Sequence, residues 1–292
     1  MNSFTIKDLE NLSGIKAHTL RIWEQRYNFL KPSRTFTNIR YYSNEELKTV
    51  LNIALLNKYG YKISHIGKMN SLEINDKILS LNQVQAQQER IINDLVKNMV
   101  DMDMEAFETS LDNYILARGI ERTITQIIFG YMEKIGILWL TNHINPAQEH
   151  LVTNIIRQKL IVGIEGVSTS LRINKTLLLF LPEAEYHELG LLFMYYLLKS
   201  RGADVIYLGT NVPIKDVAYV VNLKKPDYLY SHITTPGQHF NFDKFLLNVS
   251  KELKTVPCII SGQLTQNYEK KIHPPILFKK TFAEVMEFIS TL

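Results

Sequence analysis

The 292-residue sequence predicts a three-part chain. Its parts are a winged helix-turn-helix (α with a small β wing), a four-helix bundle, and an α/β doubly wound parallel sheet of five strands. Three observations predict this. Residues 1–75 hold two short apolar-periodic segments joined through Gly14, followed by a polar, Arg-bearing gap. Residues 76–172 contain one proline, Pro146, and apolar residues at three-to-four spacing throughout. Residues 173–292 alternate short apolar runs with helical segments.

In the first part, Thr5 precedes Ile6, Leu9 and Leu12, and the periodicity stops at Ser13-Gly14. A second helix starts near Lys16 and runs through Leu20, Ile22 and Trp23, so the connection has the length and the glycine of a helix-turn-helix. The run KPSRTFTNIRYYS, broken by Pro32 and alternating in Thr, Ile and Tyr, suits a small wing. Ser43 and Glu46 then form a capping box for a helix from Asn44 to about Tyr59. The bundle is marked by Ile91, Leu95 and Met99, by Phe107, Leu111 and Ile115, by Ile124, Ile127, Tyr131 and Ile135, and by Leu151, Ile155 and Leu160. Strands are expected at Thr176–Leu181, Val205–Leu208, Tyr228–Tyr230, Cys258–Ile260 and Ile276–Phe278. Helices are expected near 188–200, 214–223, 240–253, 267–272 and 283–291. Ligand sites of such sheets lie at the C-terminal ends of the strands, at the switch point.

The formal charge of +4 is small, but residues 1–70 carry 11 Lys/Arg against 5 Asp/Glu while residues 71–172 carry 9 against 13. The excess base therefore sits at the N-terminus. The apolar stretch Leu191–Leu198 ends at Lys199, far short of the ~18–20 residues that span a bilayer. The start, MNSFTIKDLE, lacks the pattern of a signal peptide. The single cysteine, Cys258, excludes an intramolecular disulfide and a Cys-cluster metal site. A cytoplasmic protein with no membrane segment is expected.

A helix that enters the major groove needs polar side chains outward and cations for phosphate. With Lys16 at its start, the second helix offers His18, Thr19, Arg21, Glu24, Gln25 and Arg26, and Leu20, Ile22, Trp23 and Tyr27 can supply the buried side. The wing adds Arg34 and Arg40, beside Tyr41 and Tyr42. The run FTIKDLENLSGIKAHTLRIWEQRYNFLKPSRTFTNIRYYSNEEL resembles the winged-helix head of the MerR family of transcription regulators. The resemblance covers residues 4–70 and implies a dimer on a two-fold related, double-stranded DNA operator. It places Thr19 and Arg21 on the reading helix and Arg34, Arg40 and Tyr42 on the wing, against phosphate or minor groove. No heptad seam follows residue 75, so dimerisation and signal input are expected from the later parts.

The loop after the first strand of the sheet reads LPEAEYHELG, with Glu185, His187 and Gly190 in the order carboxylate-x-His-x-x-Gly. A histidine at a strand's C-terminal end is placed to ligate a metal, a nearby carboxylate can orient its imidazole, and glycine admits close approach to the backbone. Ser231-His232-Ile233 follows after 40 residues and Ser261-Gly262 after 27 more. This spacing resembles the cobalamin-binding domain of methionine synthase and its relatives, a flavodoxin-like fold. The resemblance implies that His187 binds cobalt from the lower face and Glu185 holds His187. It also implies that Ser231, ahead of Ile233, hydrogen-bonds the displaced dimethylbenzimidazole tail, and that Gly262 gives the tail room. Ser261 stands where that pattern has a first glycine, and Glu185 where aspartate is commoner.

In the bundle, Trp139, nine residues, then Glu149-His150 resembles the Trp-x9-Glu-His motif of light-responsive, cobalamin-dependent MerR regulators of the CarH and LitR type. That resemblance implies a helical cap over the upper, adenosyl-bearing face of adenosylcobalamin. A flat indole can screen that face, and a carboxylate can accept hydrogen bonds from adenosine hydroxyls. Leu140 stands where the light-sensing members have a histidine, and His143 lies near the expected end of that helix, so a bis-histidine light product is not implied.

The resulting expectation is a MerR-type winged-helix domain at 1–75, a four-helix bundle cap at 76–172 and a Rossmann-like cobalamin-binding domain at 173–292. The function expected is that of a non-enzymatic regulator, a repressor. Cobalamin, as adenosylcobalamin, is held between bundle and sheet and sets the homo-oligomeric state, dimer or tetramer, and the grip on DNA. The alternative keeps the DNA-binding head and makes the C-terminal half an oligomerisation or protein-interaction module without cofactor. A corrinoid enzyme would need a catalytic domain for which the three parts leave no room.

Overall fold

The computed structural model describes residues 3–27, 29–140, 144–170, 172–237 and 240–292. The chain divides into two compact units, Met1–Ile155 and Ile156–Leu292.

The first unit opens with α1 (Ile6–Ser13) and α2 (Ala17–Tyr27). Thr5 caps α1 reciprocally with Asp8, and Gly14, at φ 74°, donates its N–H to the Glu10 carbonyl and turns the chain toward α2. A side chain at that φ would be strained, which is why the turn uses glycine. The wing is the antiparallel pair β1 (Ser33–Arg34) and β2 (Arg40–Tyr41). It is continued by a two-way backbone bridge between Phe4 and Tyr42, at 2.9 and 2.8 Å. Ser43 and Glu46 cap α3 (Asn44–Lys58) as expected. Two further helices, α4 (Ile63–Ile66) and α5 (Ser71–Leu79), follow. Asn70 and Glu73 form a third capping box, for α5.

Four long helical stretches complete this unit's chain. They are α6 (Val84–Asp101), α7 (Met104–Arg118), the run of α8 (Ile120–Thr123), a π-turn at Ile124–Ile128 and α9 (Phe129–Leu140), and α10 (Pro146–Glu165), within which the boundary between units falls. Leu95, Met99, Phe107, Leu111, Ile127, Tyr131 and Ile135 are buried, and Phe107 meets Tyr131 edge to face at 5.4 Å. In α10 the buried row is Val152, Ile156, Leu160 and Ile164, while Leu151, expected inside, is 39% exposed. That row is four residues apart, and Leu151 lies off it by one position.

The second unit contains the five expected strands, β3 (Thr176–Pro182), β4 (Asp204–Val212), β5 (Tyr228–His232), β6 (Cys258–Ser261) and β7 (Ile276–Lys279). All pairs are parallel, and the order is β4-β3-β5-β6-β7. The helices are α11 (Leu189–Ser200), α12 (Ile214–Lys224), α13 (Phe242–Glu252), α14 (Gln263–Gln266) and α15 (Phe282–Ser290). Leu178, Phe180, Leu229, Cys258 and Ile260 share one core with Val217, Val221, Phe245 and Val249 of α12 and α13. α11 packs against β3, β4 and β5. The helix expected at 267–272 is instead one turn at 263–266. Gly262 leaves the strand at φ 101° and ψ 179°, which starts the turn at once.

Because β4 and β5 flank β3, the chain leaves β3 to one side and returns to the other. The loops after β3 and β5 therefore open in opposite senses at the C-terminal edge, and the crevice between them is where sheets of this order accept ligands. A Cβ on Gly262 would lie 2.3 Å from the Ile233 carbonyl oxygen, so the turn after β6 requires glycine against the turn after β5.

Candidate functional site

The crevice is organised by a buried carboxylate. Glu185 is fully buried, in the β3–α11 loop. Its Oε1 accepts the His187 amide at 2.9 Å and lies 2.6 Å from His187 Nδ1, while Oε2 accepts the Thr234 amide at 2.9 Å. Burial alone would raise the Glu185 carboxyl. The hydrogen bonds from the His187 ring and amide and from Thr234 outweigh it and hold the group below the usual carboxylate range. An ionised carboxylate only accepts, so Nδ1 carries the proton and metal ligation falls to Nε2. The His187 side chain is 59% exposed. The pair therefore presents an oriented imidazole at the strand end, a donor set for a metal that brings its other ligands with it.

Beside it, Glu188 accepts from Tyr207 Oη at 3.1 Å and pairs with Arg157. Tyr207 stacks on Tyr195 at 5.3 Å. None of these three partners was singled out from the sequence, since their contacts join separate elements.

At the end of β5, Ser231 is fully buried and its Oγ has no hydrogen-bond partner among the described residues. A buried hydroxyl without a partner is costly, and it fits a ligand that supplies one. The neighbouring glycines differ from expectation in what they face. A Cβ on Gly190 would lie 2.3 Å from His232 Cδ2, so the space beside Gly190 is taken by the His232 ring. The space at Gly262 is taken by the Ile233 main chain, whose N–H donates to the Ser261 carbonyl at 2.9 Å. Ser261 is buried, with its hydroxyl 2.6 Å from Tyr230 Oη and 2.8 Å from His232 Nδ1. Burial pushes the His232 imidazole down to about 4, so this network is built on the neutral ring. Glu185, His187, Gly190, Ser231, Ile233, Ser261 and Gly262 thus converge at one sheet edge. The imidazole of His187 and the hydroxyl of Ser231 fit a corrinoid, and the room beside the two glycines is filled by protein.

Trp139, Glu149 and His150 belong to the first unit. Trp139 is 47% exposed near the end of α9. Glu149 accepts from Thr153 Oγ1 at 2.9 Å and lies 3.2 Å from His150 Nδ1. His143 lies outside the described residues.

In the head, Lys16, His18, Arg21, Gln25 and Arg26 are exposed, Thr19 is half-buried, and Leu20 and Trp23 are buried. Ile22, expected in the core, is 42% exposed, because the helix turns it away from the Leu20–Trp23 side. Tyr42, expected against DNA, is a core residue. Its bridge to Phe4 directs the ring inward, and burial pushes the phenol up to about 12. Arg34 and Arg40 stand on the wing, and both reach Glu24 of the second helix, at 3.3 and 3.0 Å. Arg34 also donates to Asn38 at 2.8 Å. Glu24 therefore clamps the wing to the reading helix, a role that spacing alone did not reveal. Phe36, at the wing tip, is fully exposed.

The folded pKa of Glu185 lies below its unfolded value of about 4.5, so its contribution to stability is complete above that pH and lost as pH falls through the folded pKa. Glu185→Gln should lower the urea midpoint at neutral pH, and the gap to the parent should narrow as pH falls below about 4.5. A gap that stays constant with pH would contradict the assignment.

Residues 4–72 match the family model described as MerR HTH family regulatory protein, and residues 91–162 match the model described as B12 binding domain. The HTH-type transcriptional repressor CarH of Myxococcus xanthus is 23% identical over 274 residues, covering 91% of this chain and 91% of the relative. The repressor CarA of the same organism is 24% identical over 269 residues, covering 91% and 89%. Among solved structures, the monomethylamine corrinoid protein of Methanosarcina barkeri superposes with a TM-score of 0.55 at 15% identity. The match covers 70% of this chain and 100% of that one and is a likeness of fold. Among the described residues, no helix is long and apolar enough to cross a membrane. A match to the MerR helix-turn-helix model, a match to the B12-binding model and a five-stranded parallel sheet thus occur in one chain, a make-up that supports a MerR-type regulator with a cobalamin-binding module.

Proposed function

We propose that the chain is a transcription repressor that grips duplex DNA as a homo-oligomer, dimer or tetramer, and whose grip is set by adenosylcobalamin. In this reading residues 1–75 read DNA, 76–172 cap the cofactor and 173–292 carry its lower ligand. The observation that carries the reading is the Glu185–His187 pair at the sheet's switch point, a buried carboxylate orienting an exposed imidazole. His187 would bind the cobalt through Nε2, and Glu185 would fix the ring and raise its basicity. Ser231 would hydrogen-bond the nucleotide tail, and Trp139, Glu149 and His150 are the cap residues. Bound cofactor would supply a cobalt centre with an exchangeable ligand, which suits a signal. Coupling requires only that cofactor favour one arrangement of the chain, and that this arrangement differ in DNA affinity. Curated relatives that span almost the whole chain and are named transcriptional repressors support a regulator over an enzyme.

Light is a separable part of the reading. Leu140 stands where the light-responsive motif has a histidine, so this chain offers no second imidazole for the cofactor at that position. Comparing the elution volume of cofactor-loaded protein in the dark and after illumination tests the light response, and an unchanged volume would remove it.

Protein mixed with adenosylcobalamin in the dark should carry it through a desalting column with a base-off, His-on spectrum. His187→Ala should lose that spectrum, and Glu185→Gln should weaken uptake by about 10–100-fold. Absence of cofactor in the protein fraction would overturn the reading and leave the C-terminal half an interaction module.

For DNA, Arg21 is exposed on α2, whereas Arg40 is already paired with Glu24. Arg21→Ala should lower the slope of log affinity against log salt by about 0.9, the value of one released counterion. Arg40→Ala should weaken binding at every salt concentration with a smaller change in slope. Equal slope changes would contradict the clamp.

A further inference from the structure

Lys134 lies on α9, half-buried in the first unit, and its ammonium donates to two acceptors on other elements. Nζ is 2.7 Å from Asn93 Oδ1 of α6 and 3.1 Å from the Leu12 carbonyl oxygen of α1. Asn93 is itself buried. Leu12 belongs to the last turn of α1, immediately before the Gly14 turn into α2. Carbonyls of a last helical turn lack partners within the helix and carry its negative end, so a cation there satisfies both needs.

Burying an ammonium is expensive, and a methionine or leucine at 134 would pack between helices at lower cost. What the ammonium adds is direction. An apolar contact tolerates sliding of α1 and α6 along α9, whereas a hydrogen bond of fixed length to each does not. Lys134 also shares its helix with Trp139, five residues on, about 7.5 Å along the axis. The same helix begins directly after the π-turn at Ile124–Ile128, a feature that is frequent at functional sites.

We propose that Lys134 is the positioning residue that joins the cap helix α9 to the helix-turn-helix. A shift of α9 at Trp139 then reaches the turn between α1 and α2 through Lys134. This rests on the cap and DNA-reading roles proposed above, and the test is arranged so that the two can fail separately.

The charged groups acting on Lys134 are Glu89 and Glu133, which favour the ammonium, and Lys58 and Lys97, which oppose it. Burial outweighs them and brings Lys134 down to about 8. An unfolded lysine titrates near 10.5, so between these values the unfolded chain holds more protons and stability rises with pH. Lys134→Met removes that rise, which identifies the buried ammonium independently of any ligand.

The decisive comparison is hydrogen exchange of the full chain across residues 12–20, parent against Lys134→Met. Exchange there should quicken by about fivefold or more while the α13 segment of the second unit is unchanged, a local opening below the global one. Lys134→Arg, which keeps a cation and its donors, should restore most of the protection. Should the methionine variant fail to fold, Lys134→Gln, which keeps a neutral donor with less reach, carries the same comparison.

Added adenosylcobalamin should change the parent's exchange at residues 12–20 and leave that of Lys134→Met unaltered. Equal exchange in parent and Lys134→Met without cofactor, or an equal cofactor response in both, would overturn the proposal. A parent that takes up no cobalamin while the exchange difference persists supports the Lys134 link and overturns the cofactor reading instead.

Discussion

A carboxylate removed from water must be met by donors, and Glu185 shows how much structure follows from that requirement. Three donors converge on it, two from His187 in its own loop and the Thr234 amide from the loop after β5. Satisfying the charge therefore pins together the two loops that strand order sends in opposite directions. The imidazole is left projecting at the crevice between them. Replacing Glu185 by an apolar residue would keep the sheet and lose the reason for these loops to hold their shape. The first unit repeats the logic with the opposite sign. There the buried ammonium of Lys134 gathers acceptors from α1 and α6 and fixes the helix-turn-helix on the helix that carries Trp139. Buried charges are poor sources of net stability, but they are strict about geometry.

The same crevice shows how close packing assigns roles to small residues. Gly190 admits the His232 ring, and Gly262 admits the Ile233 backbone. Ser261 takes the place of an expected glycine without opening space, because its hydroxyl is engaged by Tyr230 and His232. Ser231 is the complement of these, a buried hydroxyl for which the described protein provides no partner. Any nucleotide tail that meets Ser231 has to make its room there, with His232 as the adjoining side chain.

Most of the fold was legible because its signals are local. Capping boxes at Ser43 and Glu46, apolar runs bounded by turns, and Gly14 between two periodic segments each depend on residues a few positions apart. The order of the motif residues Glu185, His187 and Gly190 was legible for the same reason. What escaped depends on pairs distant in sequence. Tyr42 reads as a wing residue until Phe4 bridges it, 38 positions away. Ile22 reads as core by composition, and only the packing of Leu20 and Trp23 shows the helix rotated past it. Glu24 looked like one more polar residue of the reading helix, and its meeting with Arg34 and Arg40 requires the wing to fold back. Lys134 carries no sequence signal, since its partner at Leu12 is a main-chain oxygen 122 positions away.

In the proposed function, cofactor and DNA share one conformational equilibrium. The most direct measurement is the affinity of the full chain, with and without adenosylcobalamin in the dark, for a duplex it has selected from a random pool. Cobalamin affinity is then measured with and without that duplex. Linkage predicts that the two ratios are equal, and a coupling of about 5–150-fold is the usual range. Two ratios of one would contradict the shared equilibrium, because cofactor would then leave the grip on DNA unchanged.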